Sequence, residues 1–160
     1  MGNIIALDID DCILPSDGNY FGRTSDSLDI FVINLKRLVM ICDKYKAKIF
    51  LTSSWSTILS LNKFNEISLR DRELTKSLEE MYYYKYENMA FAYLKYYLDG
   101  YIIGLSCGNR YKDIKKLKKE NKVVIIDDWD LEELSDEKCL YIETIGLITN
   151  KAGYEINNFF

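Results

Sequence analysis

Residues 4–13 read IIALDIDDCI, an aliphatic run that ends in three carboxylates within four positions, Asp8, Asp10 and Asp11. A run of this composition is the pattern of a strand buried inside a parallel sheet and covered on both faces. Carboxylates this close raise one another's pKa and cost stability unless a cation holds them. The cluster therefore implies a positively charged partner, and a metal ion is the first candidate.

Four other stretches have the character of short buried strands: AKIFLT at 47–52, YIIGLS at 101–106, KVVIID at 122–127 and CLYIET at 139–144. Between the first two strands, Leu28, Phe31, Val32, Leu35, Leu38, Val39 and Cys42 recur at helical spacing after a Ser25 or Asp26 cap. Ser77 with Glu80 reads as a capping box opening a second helix that runs to Asp99 and Gly100. Residues 113–121, DIKKLKKEN, form a third. Strands alternating with helices predict an α/β fold: a Rossmann-like parallel sheet of about five strands with helices on both faces. No repeat, linker or second domain interrupts the pattern, so 1–160 reads as one domain. Ligands bind beyond the carboxyl ends of such strands. Those ends carry Asp8, Asp10 and Asp11, then Thr52 and Ser53, then Asp127 and Asp128.

Composition narrows the chemistry. The chain has no histidine, so acid/base work must run on carboxylates, lysine, tyrosine or cysteine. Cys12, Cys42, Cys107 and Cys139 are scattered without metal-ligand spacing and read as reduced, buried thiols. A net charge of −4 gives no support to a nonspecific nucleic-acid binder. No apolar run approaches the ~18 residues of a membrane span, and no basic segment precedes the first apolar stretch as in a signal peptide. The expected setting is cytoplasmic, with no membrane partner.

In order and spacing, LDIDDCIL, IFLTSSW, Lys112 within NRYKDIKKL, and VVIIDDWD resemble the four motifs of the haloacid dehalogenase superfamily, which consists mostly of phosphatases and phosphotransferases. The resemblance spans residues 4–128. It implies Asp8 as nucleophile, Asp10 as general acid and base, and Thr52, Ser53 and Lys112 as phosphate-binding groups. It also implies Mg²⁺ held by Asp8, by Asp127 or Asp128, and by the backbone carbonyl of Asp10. The residue types suit these roles. A carboxylate can attack phosphorus and split one displacement into two. Mg²⁺ takes hard oxygen ligands, and fixed donors must offset the charge spread over the phosphoryl oxygens. Lys112, together with the metal, would make the Asp8 cluster tolerable.

Asp11 and Cys12 stand where the superfamily most often has Gly-Thr or Glu-Thr. A thiolate beside three carboxylates has a raised pKa, so Cys12 reads as packed and inert. Lys112-Asp113-Ile114 followed by VVIIDD locally resembles the RNA-polymerase C-terminal-domain phosphatases. The superfamily's cap domains are inserted after motif one or before motif three. Residues 14–25 and 106–111 are too short for either, so the chain resembles a capless member, with 16–25 as a flap over the site. The expected function is a Mg²⁺-dependent phosphomonoester phosphatase acting through an aspartyl-phosphate. Its phosphorylated substrate could be small or macromolecular: a nucleotide, a nucleic-acid end or a phosphoprotein. A phosphotransferase and a noncatalytic binding module are the alternatives.

Two stretches read as structure rather than chemistry. In MYYYKYENMAFAYLKYY at 81–97, Tyr82, Tyr86, Met89, Tyr93 and Tyr96 or Tyr97 share a helical stripe that packs on the core, with surplus tyrosines left for self-association. Lys115, Lys116, Lys118, Lys119 and Lys122 read as a solvated helix face.

Overall fold

The computed structural model describes residues 1–15, 25–53, 85–106 and 108–160. Its five strands are β1 (Asn3–Leu7), β2 (Lys48–Leu51), β3 (Ile102–Leu105), β4 (Lys122–Asp127) and β5 (Cys139–Glu143). They pair in parallel in the order β3-β2-β1-β4-β5. The chain thus begins at the centre of the sheet, builds to one edge, and returns to build the other. The reversal falls between β1 and β4. Among the described residues the helices are α1 (Ser25–Tyr45), α2 (Lys85–Leu98), α3 (Arg110–Leu117) and α4 (Asn150–Phe159), and a 3₁₀ turn covers Glu132–Leu134.

Successive strand side chains point to opposite faces, and the sheet has apolar layers on both. Ile5, Leu7, Val124 and Ile126 pack with Phe31, Leu35 and Leu38 of α1, Ala90, Leu94 and Leu98 of α2, and Ala152 and Ile156 of α4. Ile4, Ala6, Val123 and Ile125 pack on the other face with Ile114 of α3 and Leu134 of the 3₁₀ turn. Burial on both faces explains why these strands read as unbroken aliphatic runs. The α/β class and the parallel five-stranded sheet are as the sequence predicts. Among the described residues no helix is long and apolar enough to cross a membrane.

The boundaries differ in instructive ways. The aliphatic run NIIALDI at 3–9 reads as the first strand, but β1 stops at Leu7, which leaves Asp8 and Ile9 beyond it. α3 starts at Arg110, not at 113, because the Asn109 side chain caps it by accepting the Lys112 backbone N–H at 3.0 Å. α4 was not anticipated. Thr149 caps it by accepting the Ala152 N–H, and Ala152 and Ile156 face the core. The capping box at Ser77 and Glu80, residues 16–24 of the flap read at 16–25, Tyr82 and Cys107 lie outside the described residues. Of the tyrosine stripe, Met89, Tyr93 and Tyr97 pack half-buried against the core, as expected of a core face. Tyr96 is exposed and meets the edge of Tyr97.

Candidate functional site

Parallel register brings the acidic strand ends together. Leu7 of β1 lies beside Leu51 of β2 and Ile126 of β4, so the residues that follow each of them emerge side by side. The backbone ladder continues one step past the strands: Asp8 N–H donates to Ile126 O at 3.0 Å, and Thr52 N–H to Leu7 O at 2.8 Å. Asp8, Thr52, Ser53 and Asp127 are all buried. One oxygen from each of Asp8, Asp127 and Asp128 lies within 4.8 Å of the others. This is the point where strand order reverses, the place where open α/β sheets bind ligands. Asp10 is half-buried at the start of the turn that follows β1.

Among the described residues, the cation beside these carboxylates is Arg110. Its Nη1 donates to Asp127 Oδ1 at 2.8 Å and Oδ2 at 2.7 Å, and Nη2 is 3.7 Å from Asp8 Oδ1. The guanidinium lies over the Trp129 ring, 4.3 Å from its centroid. Trp129 is held in turn: its backbone N–H donates to Asp127 Oδ1 at 2.9 Å, and its backbone carbonyl accepts from the Tyr141 hydroxyl at 2.7 Å. Lys112, by contrast, is exposed. Two residues along a helix turn the side chain by roughly 200°, which puts Lys112 on the face opposite Arg110. Arg110 shares a stripe at i, i+4 and i+7 with Ile114 and Leu117, which pack on the core. That stripe was the available signal, hidden by starting the helix three residues late.

Burial and like charge shape the acids. Burial first, then the charge of Asp127, raises the Asp8 pKa from 3.8 to about 7. The Arg110 charge and an Ile9 N–H pull the other way, while a hydrogen bond with the Asp128 side chain adds to the rise. Burial also raises Asp127, against the Trp129 N–H and Arg110. Burial pushes the Cys12 thiol far up, and the neighbouring aspartates push it further, so it stays protonated beside Thr144 Oγ1. This agrees with the inert role read from the sequence.

Among the described residues, two polar atoms are buried without a hydrogen-bond partner, Thr52 Oγ1 and Asp128 Oδ1, and both lie here. Leaving such groups unpaired costs about 1–3 kcal/mol each, and they occur where a ligand would complete the site. Three converging carboxylates with an unpaired oxygen are a donor set suited to a hard divalent cation such as Mg²⁺. Thr52 Oγ1 is a hydroxyl free to donate to an anion.

The loop that carries Asp10 is locked from behind. Ile9 O accepts the N–H groups of Cys12, Ile13 and Leu14, and Asp11 closes the turn in the left-handed region at φ 57°, which Asp tolerates better than most residues. Asn34 of α1, fully buried, donates to Ile13 O at 2.8 Å and Gly146 O at 2.9 Å, and accepts from Ile148 N–H at 2.9 Å. Gly146 N–H donates to Cys12 O at 3.0 Å. A Cβ on Gly146, whose φ is 83°, would stand 3.0 Å from the Pro15 Cβ. The sequence reading missed Asn34 and Gly146. The signal for Asn34 was a polar residue inside the buried stripe of Phe31, Leu35 and Leu38.

Comparison with family models, with curated proteins and with solved structures finds no match.

Proposed function

We propose that the protein is a Mg²⁺-dependent phosphomonoester phosphatase of the haloacid dehalogenase type, uncapped, with Asp8 as nucleophile. The observation that carries this reading is the pairing, at adjacent strand ends, of a buried carboxylate with a buried hydroxyl that lacks a partner, Asp8 and Thr52. A carboxylate alone could be structural. A carboxylate beside an unused donor and a fixed guanidinium is an arrangement for attacking an anion.

In this mechanism one Asp8 oxygen attacks phosphorus as the bond to the leaving oxygen breaks, giving an acyl phosphate on Asp8. Asp10 gives its proton to the leaving oxygen. It then takes a proton from the water that attacks the acyl phosphate, which releases inorganic phosphate and restores Asp8. The Thr52 hydroxyl and the Ser53 N–H would donate to the phosphoryl oxygens, whose charge peaks in the transition state. Arg110, in place of Lys112, is the cation of this reading: it fixes Asp127 and offsets the charge of Asp8. Asp8, Asp127 and Asp128, with the Asp10 carbonyl, would hold Mg²⁺. When bound, the ion would offset the repulsion among the carboxylates and the phosphoryl charge.

The test is a single-turnover reaction with an aryl phosphate and Mg²⁺, quenched in acid and digested. A phosphoryl group on the peptide containing Asp8, absent in Asp8→Asn and accumulating in Asp10→Asn, is the expected result. Turnover without any phosphorylated peptide would reject the covalent route, and absence of turnover across a broad panel of phosphate esters would reject the phosphatase.

A further inference from the structure

Trp129 directly follows the acidic pair Asp127-Asp128 and is 61% exposed. An exposed indole is the more informative because its surroundings are rigid. The backbone N–H of Trp129 is fixed on Asp127 and its backbone carbonyl on the Tyr141 hydroxyl. One ring face is covered by Arg110 at 4.3 Å. With one face on Arg110, the rest of the ring is a fixed, exposed aromatic surface at the border of the carboxylate cluster. The guanidinium carbon of Arg110 is 4.3 Å from the ring centroid and its Nη2 is 3.7 Å from Asp8 Oδ1, so Trp129 borders the carboxylate cluster through one shared side chain.

We propose that Trp129 is a base-stacking residue and that the substrate of the site is a nucleoside monophosphate, free or at the end of a strand. The inference rests on the phosphatase reading for its chemistry and adds the substrate class. With phosphorus at Asp8, a sugar reaches past Arg110 and the base lies on the open part of the indole. Stacking accepts any base, because every base has a π face. Selectivity is therefore for the presence of a base and not for its identity. Exposed Lys112, Lys115, Lys116 and Lys119 lie on one face of α3 and its C-terminal turn, away from Arg110, and would meet only the further phosphates of a strand.

The experiment compares kcat/KM with Mg²⁺ for 5′- and 3′-nucleoside monophosphates, short single strands with a terminal phosphate, and ribose 5-phosphate, which keeps sugar and phosphate but has no base. The wild type is expected to favour a nucleotide over ribose 5-phosphate by about tenfold or more. Trp129→Ala should bring that ratio close to one and Trp129→Phe should retain most of it, with folding of both checked by circular dichroism. Equal use of nucleotide and ribose 5-phosphate by the wild type overturns the proposal. So does a ratio that survives in Trp129→Ala while both rates fall, since Trp129 would then act only through Arg110. A strand end preferred over a free nucleotide, or the reverse, identifies the source, and either result keeps the base contact.

A separate readout protects the inference from failure of the phosphatase reading. Nucleoside monophosphate should quench the protein's tryptophan emission where ribose 5-phosphate does not, and the quench should be lost in Trp129→Phe. If no phosphate ester is turned over, this quench alone sustains the base contact, and its absence overturns it.

Discussion

A single guanidinium nitrogen of Arg110 donates to both carboxylate oxygens of Asp127, at 2.8 and 2.7 Å, while the other terminal nitrogen stands 3.7 Å from Asp8. Asp127 is fully buried, and removing one partner of a buried pair leaves the other charge uncompensated, at about 3–5 kcal/mol. Arg110→Ala is therefore expected to lower the stability of the metal-free protein by about 3 kcal/mol. Lys112→Ala, at an exposed position, should change it by less than about 0.5 kcal/mol. Urea denaturation in EDTA measures both. Equal losses would mean that α3 acts as a general basic patch and that Arg110 has no special place.

The acidic strand ends were legible because burial on both faces forces a parallel strand to be continuously aliphatic, so a carboxylate at its end stands out. Arg110 was not legible for a local reason. The helix pattern was begun at Asp113, and only the Asn109 cap reveals that the first turn starts earlier and turns Arg110 inward. α4 was hidden by poor helix propensity: NKAGYEINNF is amphipathic, but Gly153 and three asparagines are weak helix formers, and only Ala152 and Ile156 are buried. Asn34 could be noticed in the sequence as a polar residue on an apolar stripe. Its purpose could not, since its partners lie 21 to 114 residues away.

Asn34 ties α1 to the loops after β1 and β5 with three hydrogen bonds, all buried. Asn34→Ala takes the Asn34 partner from two carbonyls and one N–H, and is expected to cost about 3 kcal/mol. Amide exchange at Ile148 should accelerate, because its N–H loses the Asn34 acceptor. A change below about 0.5 kcal/mol would show that the two loops hold without Asn34.

Asp128 Oδ1 is buried without a partner and converges with Asp8 and Asp127. Mg²⁺ should stabilise the wild type by about 2.7 kcal/mol at a hundredfold excess over Kd, seen as a rise in melting temperature. Asp128→Asn should lose most of that rise. EDTA should abolish turnover and Ca²⁺ should not restore it, because calcium is larger and accepts more ligands. Equal Mg²⁺ shifts in wild type and Asp128→Asn would remove Asp128 from the ligand set, and full turnover in EDTA would remove the metal.

Asp8 couples the chemistry to stability. In the metal-free protein its pKa is raised from 3.8 to about 7, by burial first and by Asp127 next. Between those values the native state binds a proton that the unfolded chain has released, so stability falls as pH rises. The favourable contribution is fully present below pH 4 and is gone once pH has passed about 7. Metal-free wild type should therefore be less stable at pH 8 than at pH 5, by an amount on the order of a few kcal/mol. Asp127, raised in the same direction, adds to the slope. Asp8→Asn has no charge to bury, and its amide oxygen can still accept the Ile9 N–H. The variant should lose much of the pH dependence and equal or exceed the wild type at pH 8 without metal, while aryl phosphate turnover falls to background because an amide forms no acyl phosphate. Thermal melts from pH 5 to pH 8 in EDTA, with turnover assays in Mg²⁺, read both effects. If Asp8→Asn still turned over, or melted well below metal-free wild type at pH 8, Asp8 would be a structural residue and the nucleophile would have to be sought elsewhere.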